Sequence, residues 1–182
     1  CISSLSTKTD ITIGVVGDKI CEVYHYTDER NAFLSKGVRI NLPSVTTTSD
    51  VYNSVNAPSS ISMNKYGDRV VVGIQNIEAS TSISGITTIG EVYTFQYDGV
   101  GNWNKIGQIL NGQVTSLKLS ESGSTLLYSS ITQMFFDSNI EGEFVAPGAV
   151  FAYEFIDNSW QEVGSVLYGK THLDEFGYAL DF

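Results

Sequence analysis

The sequence predicts an all-β fold assembled from repeated four-stranded antiparallel units. Three observations carry that expectation. The apolar segments are short runs rich in Val, Ile, Tyr and Phe, the residues that suit a pleated, half-buried surface. Turn residues punctuate them at regular spacing: Gly is frequent at 17, and Pro is scarce at 3. Finally, whole segments recur along the 182-residue chain.

The recurrence is plainest in the second half of each unit. Gly90-Glu91-Val92-Tyr93-Thr94-Phe95-Gln96-Tyr97 matches Gly148-Ala149-Val150-Phe151-Ala152-Tyr153-Glu154-Phe155. Each run is followed by a polar turn and a tryptophan, Trp103 or Trp160, and then by an apolar-glycine pair, Ile106-Gly107 or Val163-Gly164. Upstream, Ser60-Ile61-Ser62-Met63 with its turn to Gly67 matches Ser116-Leu117-Lys118-Leu119 with its turn to Gly123. Each of these leads into a short apolar run, Val70-Val71-Val72-Gly73 or Thr125-Leu126-Leu127-Tyr128.

A first copy reads more faintly. It holds Leu5-Ser6, Ile11-Thr12-Ile13-Gly14 and Glu22-Val23-Tyr24-His25-Tyr26, with Phe33 in the tryptophan position and Gly37 in the glycine position. Residues 176–182 read as the first strand of a further copy. The units are therefore expected at 3–43, 60–111 and 115–168, with a further blade starting at 176–182. Four strands per unit define a propeller blade, so the predicted fold is a partial β-propeller with four-stranded antiparallel blades. Within a blade, Tyr93, Phe95 and Tyr97 point one way and Val92, Thr94 and Gln96 the other. A large-residue face opposite a small-residue face suits blades that stack on one another. Trp103 and Trp160 are expected to pack between blades.

This series of a serine-ended strand, a glycine turn, an apolar run, Gly-x-Val-x-x-Tyr and Trp-x-x-x-Gly resembles the FG-GAP-like and kelch-like propeller repeats. Phe176-Gly177 resembles the "FG" pair. The resemblance implies a propeller module of a large surface or secreted protein, of the kind found in protists, algae, bacteria and giant viruses. It implies localisation outside the cell, at a cell surface or at a virion surface. One departure concerns calcium. The turns 64–68 and 120–124 lack the Asp-x-Asp-x-Asp-Gly pattern of calcium-binding repeats, so a structural Ca²⁺ in each blade is not supported. Three blades and a strand do not close a ring, and the expectation is that further blades, in this chain or another, complete it.

Composition excludes several classes of function. Acids outnumber bases 20 to 10, for a formal net charge of −10, and no basic cluster offers itself to nucleic acid. No apolar run approaches the roughly 20 residues of a membrane span. Of the two cysteines, Cys21 reads as a buried thiol and Cys1 as free; a Cys1–Cys21 bridge and a lipidated Cys1 are the alternatives.

Alternate loops of an antiparallel blade fall on opposite sides. The turns near 64–68, 98–101, 120–124 and 156–159 are short; the connections near 43–59, 75–89, 132–147 and 168–175 are long. Long insertions gathered on one side of a repeat protein mark its binding face. That face carries Asp50, Glu78, Asp137, Glu141, Glu143, Asp174 and Glu175, with His172 beside the last two, against Lys170 alone. It is either a solvated surface or a surface for a cationic partner or a weak calcium site, with Asp137, Glu141 and Glu143 the best metal candidates. His172 with Asp174 and Glu175 has the residue types for proton transfer, and His25 reads as a packed or edge histidine. No nucleophile elbow or phosphate loop occurs.

The resulting expectation is a non-enzymatic structural or adhesive module without a cofactor, binding protein or glycan through the long-loop face. A propeller-type carbohydrate hydrolase or lyase and a calcium-dependent adhesion module are the alternatives.

Overall fold

A computed structural model describes residues 2–6, 11–17, 20–42, 55–78, 87–110, 114–130, 135–136, 144–145, 147–171 and 174–182. Among them there is no helix; the chain is all-β, in three antiparallel sheets plus one small hairpin.

The first sheet runs β1 (Ile2–Ser6), β2 (Ile11–Gly17), β3 (Ile20–Thr27) and β4 (Ala32–Ser35), each paired with the next. β5 (Ile40–Asn41) pairs with Ile20 and Cys21, while β4 pairs with Tyr24 to Thr27. These two are pieces of one outer strand, interrupted at 36–39. The second sheet runs β6 (Val55–Met63), β7 (Arg69–Glu78), β8 (Thr87–Tyr97) and β9 (Trp103–Leu110). The third runs β10 (Ser116–Leu119), β11 (Thr125–Ser130), β14 (Ala149–Ile156) and β15 (Ser159–Glu162), with β16 (Leu167–Tyr168) continuing the outer strand on β14. Between β11 and β14 lies the small hairpin of β12 (Phe135–Phe136) and β13 (Phe144–Val145).

The three sheets stack face to face, and the period-2 alternation decides which residues meet. Tyr93, Phe95 and Trp103 of the second sheet join Val16, Cys21, Val23, Ile40 and Leu42 of the first in one core. The opposite face of the second sheet, Val71, Val92 and Ile109, joins Leu117, Leu119, Leu126, Tyr128 and Tyr153 of the third in another. Each fully buried side chain of this size stabilises by about 1.5–3 kcal/mol relative to exposure. The innermost strands are also tied directly. Ser60 Oγ accepts from Leu117 N at 3.2 Å and Ser62 Oγ from Leu119 N at 2.9 Å. Successive four-stranded meanders, stacked with their first strands side by side, are consecutive blades of a β-propeller.

The tryptophan–glycine pairing now has a steric cause. The Trp160 indole lies over Gly107 on the outer strand of the second sheet, and the Trp103 indole over Gly37 in the interruption of the first sheet's outer strand. A Cβ on Gly107 would stand 3.0 Å from Trp160 Cδ1. A Cβ on Gly37 would stand 2.8 Å from Gly101 O and 3.1 Å from Trp103 Nε1. Only a residue without a side chain lets the next sheet approach this closely.

Two expectations change. Phe33 does not occupy the tryptophan position. Trp103 is registered with Tyr97 and Trp160 with Phe155, whereas Phe33 is registered with Tyr26, two residues short of that level. It packs edge-on against Tyr26 on the open face of the first sheet and is 46% exposed. Residues 176–182 carry no strand pairing; they form a turn and coil laid on the third sheet. Phe176 N donates to Pro147 O, Ser129 Oγ donates to Gly177 O, and Lys118 Nζ meets Asp181 Oδ1 at 2.7 Å. A strand needs a ladder partner, and the described residues provide none for this segment.

Cys21 is a free, fully buried thiol. Burial, with a smaller contribution from the Glu22 charge, pushes its pKa up to about 12, so it is an inert apolar core residue. Cys1 lies outside the described residues.

Candidate functional site

The sheet topology separates the connections into two sides. On one side lie the turns between β6 and β7, β8 and β9, β10 and β11, and β14 and β15. These are short and internally bonded. Asp98 Oδ1 accepts from the backbone N–H of Val100, Gly101 and Asn102 at 2.9–3.0 Å. Hydrogen bonds from the Asn102 side chain and from these N–H groups hold the Asp98 carboxyl down at about 2. Asn64 Oδ1 accepts from Asp68 N and Arg69 N, and Ser120 Oγ from Thr125 N. On the other side the chain leaves the second and third sheets through the long segments 79–86 and 131–148, and enters the second through 43–54.

Of the expected binding residues, the structure describes Glu78, Asp174 and Glu175, which lie on that second side. Asp50, Asp137, Glu141, Glu143 and His172 lie outside the described residues. Glu78 ends β7. Asp174 and Glu175 are exposed. Asp174 is engaged within its own turn: Oδ2 accepts from Lys170 N at 2.7 Å and Thr171 N at 2.8 Å, and Oδ1 accepts from the Thr171 hydroxyl. Those bonds lower its pKa, the Thr171 hydroxyl most. Asp137, Glu141 and Glu143 belong to the segment whose base is the β12–β13 hairpin, a ladder of two residue pairs that the sequence pattern did not reveal. Among the described residues no group of three His, Cys, Asp or Glu could hold a metal ion.

Sequence reasoning missed a second location. On the short-turn side, at the seam of the first and second sheets, a half-open cleft of about 330 Å³ is lined by Thr12, His25, Lys36, Tyr66 and Tyr97. Lys36 Nζ donates to Tyr66 O at 3.3 Å and stands 5.5 Å from the centre of the Tyr97 ring. Tyr97 is held against Trp103, and the Trp103 indole donates to Lys36 O at 2.7 Å. His25 Nδ1 is buried with no hydrogen-bond partner among the described residues.

The repeat explains that lone nitrogen. His25 and Thr94 are equivalent: each lies opposite the second residue of an equivalent run, Thr12 or Val71, and each follows a Glu-x-Tyr whose tyrosine hydroxyl donates to the glutamate. Thr94 Oγ1 accepts the Trp160 indole N–H at 2.7 Å. At the first seam the corresponding tryptophan bonds Lys36 O instead, and His25 is left without that partner. The substitution of histidine for threonine at a repeat position was the signal available in the sequence.

No protein-family model matches the chain, and a search of curated proteins finds no match. Among solved structures, the chain is similar to the Dos1 propeller at 14% identity, covering 96% of this chain and 49% of that one, with a TM-score of 0.37. It is similar to the tricorn protease at 10% identity, covering 85% of this chain and 18% of that one, also with a TM-score of 0.37. The chain thus spans about half of the first structure and under a fifth of the second. The propeller assignment stands on the sheet order and stacking described above.

Proposed function

We infer that the chain is a structural and binding module of a β-propeller that engages a protein or glycan through its long-connection side. One observation supports this reading above others: within the second and third sheets the connection between the two middle strands, β7 to β8 and β11 to β14, is long, whereas the turns on the opposite side are tight. A rigid stack of sheets presenting long segments on a single side is the arrangement by which scaffolds carry recognition surfaces. Glu78, Asp174 and Glu175 lie on that side, and the sequence segments that depart from it also carry Asp50, Asp137, Glu141 and Glu143, an acidic set that suits a partner with basic groups or hydroxyl donors. The open face of the first sheet, with Val15, Tyr24, Tyr26 and Phe33, is the counterpart of faces that other sheets bury. It suits a neighbouring blade in the same propeller. In this reading the module belongs to a surface, secreted or virion-associated protein.

Replacing 132–147 by a short Gly-Ser linker tests the proposal. The protein is screened on a glycan array and in pull-downs from a secreted protein fraction. Loss of the partners bound by the parent chain supports recognition through the long side; retention of all of them overturns it.

A further inference from the structure

We propose that the open face of the first sheet docks on the third sheet of a second copy of the chain, head to tail, displacing residues 176–182 from that sheet. This rests on the part of the reading above that gives the open face to a neighbouring blade, and not on recognition through the long side.

Equivalent positions define the first of the two surfaces. Ile13 is registered with Tyr24, and Val15 with Glu22. Their counterparts in the second sheet are Val72 with Tyr93 and Ile74 with Glu91; in the third they are Tyr128 with Phe151 and Ser130 with Ala149. Val72, Ile74, Tyr128 and Ser130 are at most 2% exposed, because the preceding sheet covers them. Val15 is 37% exposed, and Ile13 and Tyr24 are half-buried. With Tyr26 and Phe33 they form an open apolar face of the kind that marks an interaction surface.

The third sheet offers the complement. Val71 and Thr94 of the second sheet are fully buried beneath the third. Their counterparts Leu127 and Ala152 are registered in the same way but are half-buried. Gly107 lies under the Trp160 indole, whereas a Cβ on its counterpart Gly164 would meet nothing within 4 Å. Both seams of the molecule set a large-residue face on such a small-residue face. A second copy extends that series by the same rule, and the contact is heterologous, because different patches meet. Two copies of three stacked sheets bring six, within the roughly four to eight of closed propellers, so the pair closes on itself instead of growing into a fibre.

Two features make this contact weaker than a seam, and hence reversible. The first sheet has no indole to lie over Gly164, since Phe33 stands two residues short of the tryptophan level. Residues 176–182 also hold the place of an incoming innermost strand. A Cβ on Gly177 would stand 2.6 Å from Ser129 Cβ; at the second seam Val114, at the entry to β10, approaches the corresponding Gly73. The segment is tied down by Phe176 N to Pro147 O, by the Ser129 hydroxyl to Gly177 O, and by the Lys118–Asp181 ion pair. Asp181 is 78% exposed, and an ion pair so exposed holds only weakly.

Sedimentation equilibrium of the intact chain across micromolar concentrations tests this. The mass should rise with concentration from 19.9 kDa towards twice that value. Val15→Asp puts a charge on the first-sheet face, and Ala152→Arg fills the small face of the third; each should weaken self-association by roughly tenfold or more. Circular dichroism checks that both variants are folded. Mixed together they should associate one to one, since each keeps the face that the other has lost. Asp181→Ala loosens the covering segment and should tighten the dimer severalfold. A parent chain that stays at 19.9 kDa, an Ala152→Arg variant that dimerises like the parent, a mixture that stays monomeric, or an Asp181→Ala variant no tighter than the parent would each overturn the assignment. Such a failure leaves recognition through 132–147 untouched, because the assay contains no other partner.

Discussion

The two seams between the sheets are built from the same repeat, yet they are filled differently. At the second seam the tryptophan indole and an arginine guanidinium both bond across from one sheet to the other. Trp160 donates to Thr94, Arg69 lies 4.8 Å from the centre of the Phe155 ring, and its Nη1 donates to Gly123 O at 2.7 Å. At the first seam Trp103 bonds backbone, Lys36 reaches across to Tyr66, and a cleft remains beside His25. The lesson is that a repeat specifies stacking through its tryptophan and glycine. At the Thr94 or His25 level the seams differ: Thr94 takes the indole of the next sheet, whereas a cleft lies beside His25.

The largest effects should come from the closed seam. Leu126 is fully buried in the core shared by the second and third sheets. Leu126→Ala should cost roughly 2–5 kcal/mol by lost transfer energy and a residual cavity. Urea unfolding measures it, and a cost under about 1 kcal/mol would mean the second seam is loosely packed.

The glycines sharpen the comparison next. Gly37 has φ +85° and would place a Cβ 2.8 Å from a backbone oxygen, whereas Gly107 would meet the side chain of Trp160. An indole can shift and a backbone cannot. Gly37→Ala should therefore cost more than Gly107→Ala, by an amount on the order of 1–3 kcal/mol.

A matched pair of substitutions probes the polar level. Thr94→Val leaves the half-buried Trp160 N–H without its acceptor and should cost roughly 0.5–1.5 kcal/mol. His25→Val removes an unpartnered polar atom and should be neutral or stabilising. Thermal unfolding of the two variants compares them directly; equal destabilisation would show that the seams are alike after all.

The smallest effects are pH-dependent and have opposite signs. The Cys21 thiol is raised from 9.0 to about 12 in the folded chain. Its contribution is complete below pH 9 and is lost as pH rises toward 12, where the buried thiol must ionise. Cys21→Ala should flatten that alkaline decline. Asp98 is lowered from 3.8 to about 2, so its contribution is present above about pH 4 and is lost as pH falls toward 2. Asp98→Asn should flatten the acid limb of the melting-temperature profile.

Much of this fold is readable from the sequence because its strongest signals are local. The alternation Tyr93-Thr94-Phe95-Gln96-Tyr97 follows from the pleat, and the tryptophan and glycine recur at one spacing because every outer strand repeats the same pattern. What escaped reading depends on register or on lateral packing. Phe33 looks like the missing tryptophan until the pairing with Tyr26 shows it two residues short. Residues 176–182 have strand composition but no ladder partner among the described residues. The β12–β13 hairpin is too brief for periodicity to show. The cleft joins Thr12 and His25 to Tyr66 and Tyr97, residues brought together only when one sheet stacks on the next. Of the acidic residues singled out in the sequence, Asp174 bonds within its own turn, a local role that composition does not reveal.

The stacking of consecutive sheets is tested most directly by a double-mutant cycle on the Trp160–Thr94 bond. Trp160→Phe keeps an aromatic ring and removes the N–H; Thr94→Val keeps the shape and removes the hydroxyl. If the third sheet stacks on the second as described, the two effects are coupled by about 1 kcal/mol, because the second change costs little once the bond is gone. Strict additivity, within about 0.3 kcal/mol, would mean that the indole and the hydroxyl do not meet, and would contradict the stacked-blade arrangement.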